Sequence, residues 1–189
     1  AHTGNKSFEK EKIYTYISDG GIQEEISQGA GRLAGYLGLD NLVMFYDSNG
    51  IQLSTTCEDV SAEDTAMKYR AWNWNVLEID GNDCEAIRGA LLAAHEEHNR
   101  PTLIIGKCVM GKGCLRADGT SYENDCGTHG CALGEGAYEN TIKNLGGNPG
   151  NPFVVWKETE TLYAERKLEL KELCLLYTSP SPRDLSTSR

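Results

Sequence analysis

Apolar and polar positions along the chain lay out four strands with helices between them. Residues 13–17 (IYTYI) are β-branched and aromatic, as a strand requires. Asp19-Gly20-Gly21 then breaks the run. Over residues 22–37, Ile22, Ile26, Ala30, Leu33, Ala34 and Leu37 fall close to helical spacing, and Gly38 stands where a C-cap is expected. Residues 42–46 (LVMFY) are continuously apolar, the mark of a strand covered on both faces. After a polar loop at 47–60, Ser61 is expected as the N-cap of a helix ending near Ala71, with Asp64 approximating the Glu or Gln of a capping box. Residues 74–79 alternate as a third strand, Asp80-Gly81-Asn82-Asp83 turns, residues 84–98 are an amphipathic helix, and residues 103–108 are the fourth strand.

Strands alternating with helices predict an α/β fold, a doubly wound and mostly parallel sheet with helices on both faces. The helix over 22–37 carries Gly29, Gly31 and Gly35, each costing about 1 kcal/mol of helix propensity relative to Ala. Close packing on a sheet or a partner subunit would account for them. Residues 110–134 are glycine-rich and irregular, and loops of that length in a compact domain are usually functional or disordered. A short helix is expected over 135–145, a break over 146–152, and a charged amphipathic helix over 159–173. The expected domain runs from residue 1 to 157, with residues 158–173 as a charged helix leaving it.

The candidate chemistry lies at two strand exits. Ser18-Asp19-Gly20-Gly21 follows the first strand and Asp47-Ser48-Asn49-Gly50-Ile51 follows the second, with room for one helix between them. Parallel neighbours joined by a crossover helix bring such exits side by side, at the edge where ligands bind. Hard oxygen ligands gathered beside glycines suit a phosphate group bound through magnesium or calcium.

Composition narrows the function classes. The 189 residues are 39% hydrophobic, enough for one buried core, and the formal charge of −10 argues against a broad nucleic-acid surface. No apolar run approaches the ~20 residues that span a bilayer, so no membrane role is expected and a cytoplasmic location is. The Asn5-Lys6-Ser7 sequon carries no weight without a secretion signal. Seven cysteines without a close CxxC pair read as reduced, scattered and buried thiols. The alternative of a zinc site from Cys108, Cys114, Cys126, His129 and Cys131 matches no standard ligand spacing. With no initiator methionine, the chain is expected to be cut from something longer. Residues 174–189 (CLLYTSPSPRDLSTSR) abandon the helical pattern without a cap and resemble a translated sequencing-library adapter, so they are expected not to be native. A Ser/Pro-rich disordered tail is the alternative.

Ser18-Asp19-Gly20, Asn49 about thirty residues later, and Thr128-His129-Gly130 in the long loop together resemble the diphosphate-binding domain of transketolase. The runs SDGGIQEEISQGAGRLAG and FYDSNGIQLS resemble a bacterial type, and the resemblance covers residues 10–173. It implies thiamine diphosphate as cofactor, with Mg²⁺ or Ca²⁺ held by Asp19, the Asn49 side chain and the Ile51 carbonyl. Gly20 would let the backbone approach the diphosphate, aided by the following helix N-terminus, and Asp47 would brace the loop. Leu53 would support the cofactor from below, and Met110 of Met110-Gly111-Lys112-Gly113 would pack near its aminopyrimidine. His129 would face the diphosphate and the reacting carbon. Glu24 would join a carboxylate network at a dimer interface, although Gly29 stands where that network has its second acid. Gly130-Cys131-Ala132-Leu133 also lacks the proline usual at that point of the family.

The implied reaction moves a two-carbon ketol unit from a ketose phosphate to an aldose phosphate. Sugar phosphates are thus the expected small-molecule partners, and a second copy or a C-terminal transketolase half the expected protein partner. The chain alone is expected to be inactive, because the family places other cofactor and substrate groups in segments this chain does not contain. Rival readings are another thiamine diphosphate enzyme (deoxyxylulose-phosphate synthase or a 2-oxo acid dehydrogenase component) and a split or decayed half that binds without turnover. A nicotinamide-binding dehydrogenase is disfavoured, because Gly29-Ala30-Gly31 and Gly35 fall inside a helix and miss the GxGxxG spacing.

Overall fold

The computed structural model describes residues 11–178, with side chains through residue 172. The Asn5 sequon, most of the polar opening stretch and residues 179–189 of the adapter-like tail lie outside the described residues. Four parallel strands, β1 (Ile13–Ser18), β2 (Leu42–Ser48), β3 (Asn75–Asp80) and β4 (Thr102–Lys107), form one sheet in the order β1-β2-β4-β3. The crossovers are α1 (Asp19–Gln23) with α2 (Glu25–Leu37), then α3 (Thr65–Ala71), then α4 (Cys84–Glu96). The first two connections step the same way across the sheet and share one face. The third steps back and lies on the other, as right-handed crossovers demand. The expected doubly wound α/β fold is what the chain forms.

Strand side chains alternate between two cores. Met44, Tyr46, Leu103 and Ile105 pack with Ile22, Ala34, Ala66, Tyr69 and Trp74 beneath α2 and α3. Val43 and Ile104 pack with Ala90 and Ala94 of α4 on the opposite face. The central strand β4 is buried on both sides from Thr102 to Gly106. Two of the three glycines of α2, Gly31 and Gly35, are explained by this packing. A Cβ on Gly35 would fall 1.8 Å from the Trp72 carbonyl oxygen, and one on Gly31 would press on Tyr69 at 3.3 Å. Gly29 has nothing within 4 Å.

Several expected boundaries shift for identifiable reasons. The helix expected over 22–37 is two helices, because Glu24 adopts an extended backbone (φ −65°, ψ 133°). Ile22 is buried while Ile26 is 88% exposed, so the apolar spacing that joined them did not mark one face. The N-cap of α3 is Asp64 and not Ser61, since the Asp64 carboxylate accepts from the Met67 amide at 2.8 Å. Trp74 precedes β3 and sits in the core, donating its indole N–H to the Gly31 carbonyl at 2.8 Å. Gly38 is the left-handed C-cap of α2 as expected. The cysteines are less buried than expected. Among the described side chains, Cys57, Cys108, Cys114 and Cys126 are half-buried, Cys84 and Cys131 are exposed, and these six are free.

The chain divides into two compact units after Gly146. The first ends with α5 (Ala137–Asn144), and the second holds α6 (Lys157–Thr178), whose backbone runs on past residue 173. Among the described residues, no helix is long and apolar enough to cross a membrane.

Candidate functional site

In-register pairing of Ile17 with Tyr46 and of Ser18 with Asp47 brings the exits of β1 and β2 together. Asp19 is the first residue of α1 and only 2% exposed. Its Oδ1 accepts from the Tyr46 hydroxyl at 2.6 Å, and its Oδ2 from the backbone amides of Asn49 (3.0 Å) and Gly50 (3.1 Å). The Asn49 side chain turns back along its own loop, its Oδ1 accepting from the Ile51 amide at 3.0 Å. Ile51 is buried and bridges to Thr56, closing the loop. The Tyr46 phenol is pushed well above its usual range, first by burial and then by its bond to Asp19.

On the other face of the same strands lies a cleft of about 330 Å³, lined by residues that include Tyr16, Phe45, Asp47, Asn49, Asn82, Cys108 and Met110. The Tyr16 hydroxyl donates to the Asp47 carboxylate. Partial desolvation of that hydroxyl where it leans into the cleft, with the Asp47 bond next, raises Tyr16 to about 12. Burial likewise pushes the Cys108 thiol up to about 12, reinforced by the neighbouring carboxylates of Asp47, Asp80 and Asp19. Gly106 lets the Phe45 ring lie over β4, since a Cβ there would meet the ring at 2.4 Å.

The long loop is built against α5. Thr141 accepts from the Leu115 amide at 2.9 Å, Asn144 donates to the Gly113 carbonyl at 2.9 Å, and Asn140 donates to the Arg116 carbonyl at 3.1 Å. Arg116 pairs with Asp125 at 2.6 Å and stacks its guanidinium over Tyr122. Asn124, at φ 56°, exchanges bonds with the Met110 backbone. Gly111, at φ 60°, passes against Thr128, which ties the Met110 and His129 segments together. His129 is half-buried, and its Nδ1 is buried without a hydrogen-bond partner.

Of the expected site residues, the structure therefore gathers Asp19, Asn49 and Ile51 in one hydrogen-bonded unit, and Met110 lines the same cleft as Asn49. Gly20 is exposed, with nothing near the position of an added Cβ. Leu53 is 74% exposed, and Glu24 is exposed at the helix break. The sequence reading missed Tyr46, Tyr16 and Asn82, whose Oδ1 accepts from the Val109 amide at 3.0 Å. For Tyr46 a signal existed: a tyrosine closing a fully apolar strand needs a partner for its buried hydroxyl.

The donor set suits a hard cation. A buried carboxylate calls for a compensating positive charge, and among the described residues no basic side chain pairs with Asp19. Its own oxygens and the Asn49 side-chain oxygen in the loop bonded to it are donors of the kind Mg²⁺ and Ca²⁺ take. No group of three or more His, Cys, Asp or Glu side chains able to hold a metal occurs among the described residues, so the zinc alternative finds no support there.

Fold and site together define a class: doubly wound α/β domains that take ligands at the C-terminal ends of parallel strands. Within that class, residues 2–175 match the family described as transketolase, thiamine diphosphate binding domain, and the chain belongs to that family. Dihydroxyacetone synthase of Pichia angusta is 34% identical over 160 residues, 84% of this chain and 22% of that protein. Transketolase 2 of Vibrio parahaemolyticus is 39% identical over 153 residues, 80% of this chain and 22% of the relative. A solved transketolase from Campylobacter jejuni superposes with a TM-score of 0.77 at 30% identity, covering 93% of this chain and 28% of its own. One from Pichia stipitis, in complex with sedoheptulose-7-phosphate, gives 0.78 at 30% identity, covering 86% and 23%. The chain thus spans about a fifth of the length of these curated relatives.

Proposed function

We propose that this chain is the metal- and diphosphate-holding part of a transketolase, an enzyme that moves a two-carbon ketol unit from a ketose phosphate to an aldose phosphate. The observation that carries the reading is the buried Asp19 carboxylate, knitted to the Asn49 loop and lacking a cationic side chain. Asp19, Asn49 and the Ile51 carbonyl would hold Mg²⁺ or Ca²⁺, and Gly20 would leave the backbone open to the diphosphate. Thiamine diphosphate supplies, when bound, the nucleophilic carbon that carries the ketol unit. Met110, which lines the cleft, would flank the cofactor, and Leu53 would support it. His129 would donate to a phosphate or developing oxyanion. Relatives named transketolase, and one solved with a sugar phosphate, support sugar phosphates as substrates.

The protein partner would be a second copy or a C-terminal transketolase half, and Glu24 would face it. Exposed Ile26, Leu33 and Tyr36 along α2 leave apolar surface for such a contact. The test is a ketol-transfer assay on the chain alone and on the chain assembled with a C-terminal half, thiamine diphosphate and Mg²⁺. Activity only in the assembly, abolished by Asp19→Ala, is the expected result. Full activity of the Asp19→Ala assembly would overturn the reading. Turnover by the isolated chain would overturn the requirement for a partner.

A further inference from the structure

Two tyrosines fasten the exits of β1 and β2 in reciprocal fashion. Tyr46 of β2 reaches back to Asp19, which follows β1, while Tyr16 of β1 reaches across to Asp47 of β2. Because Tyr46 and Asp47 are consecutive strand residues, the two bonds lie on opposite faces of the sheet. Only the Tyr46 bond is buried and ends on the carboxylate that organises the Asn49 loop.

A carboxylate offers about four lone-pair sites, two on each oxygen. Both sites on Asp19 Oδ2 are taken by the amides of Asn49 and Gly50, whereas Oδ1 accepts one bond, from Tyr46, and the Cys57 thiol lies beside the same carboxylate. The remaining site of Asp19 is therefore on the oxygen that the phenol holds. We propose that Tyr46 is a positioning residue for the metal site: its hydroxyl fixes the rotation of the Asp19 carboxylate so that the free lone pair of Oδ1 points in one direction. This rests on the reading of Asp19 as a metal ligand. Hydrogen bonds that orient a ligating group commonly set metal affinity as firmly as the ligand does. Tyr69 supplies an internal comparison, since it is a buried tyrosine of the same core whose hydroxyl has no partner.

The experiment measures Mn²⁺ affinity by electron paramagnetic resonance, on the full chain assembled with a C-terminal transketolase half and thiamine diphosphate. Wild type, Asp19→Ala, Tyr46→Phe and Tyr69→Phe are compared, with affinities referred to the folded fraction from circular dichroism. Tyr46→Phe is expected to weaken Mn²⁺ binding by about tenfold, and Tyr69→Phe to leave it unchanged. Replacing Tyr46 with 3-fluorotyrosine, which keeps the donor, is expected to restore wild-type affinity. Wild-type affinity in Tyr46→Phe, with binding lost in Asp19→Ala, would overturn the positioning role and leave the metal site standing. Failure of 3-fluorotyrosine to do better than Phe would also overturn it. Absence of Mn²⁺ binding to the wild type would overturn both this role and the functional reading beneath it.

Discussion

The Asn49 loop and the 110–134 loop are both irregular and both carry expected site residues, yet they are held in different ways. The Asn49 loop hangs on one buried carboxylate, with two of its amides and the Tyr46 phenol converging on Asp19. The longer loop is held by a spread of half-exposed bonds from α5 and from the Arg116–Asp125 pair. Buried charge-assisted bonds are strong and costly to leave half-made. The first loop should therefore fail as a unit, and the second should loosen one bond at a time.

The sharpest way to break this comparison is Asp19→Ala, which strands a buried phenol and two amides. A loss of about 3 kcal/mol is expected in urea unfolding. Thr141→Val removes the acceptor of the Leu115 amide and should cost about 1 kcal/mol, with faster hydrogen exchange confined to that part of the loop. Arg116→Ala should cost under about 1 kcal/mol and less still at high salt, because its ion pair is well exposed to solvent. The last test is alkaline. Tyr16 is raised in the folded state from 10.0 to about 12, so the unfolded chain loses this proton first. Stability contributed by the neutral phenol is present below pH 10 and drains away between about 10 and 12. Tyr16→Phe should flatten that part of the unfolding curve. A loss from Arg116→Ala as large as that from Asp19→Ala would erase the distinction between the loops.

Much of this was legible in the sequence, and the failures have physical causes. The continuous apolar run before Asp47 marked a central strand, and the expected meeting of the β1 and β2 exits is what the register brings about, with the Asp19 carboxylate bonded to the Asn49 loop. A buried tyrosine calls for a partner, but which residue answers it across the strands leaves no such trace. Nothing in the periodicity of β1 or β2 says that Tyr46 reaches Asp19 or that Tyr16 reaches Asp47, because both depend on register. The break at Glu24 was hidden because Ile22 and Ile26 have helical spacing, although only Ile22 is buried. Asp64 displaced Ser61 as a cap because either residue can accept a helical amide, and the backbone decides which one does. The order of the 110–134 loop was invisible for a similar reason. Its fasteners, Asn140, Thr141 and Asn144, lie in a helix that reads as merely polar.

The central claim is that Asp19 and Asn49 form one side of a metal–diphosphate site. It is tested most directly by calorimetric titration of thiamine diphosphate with Mg²⁺ into the chain assembled with a C-terminal transketolase half. Asp19→Ala and Asn49→Ala should each abolish the Mg²⁺-dependent part of the binding heat. Unchanged cofactor affinity in both variants would contradict the account.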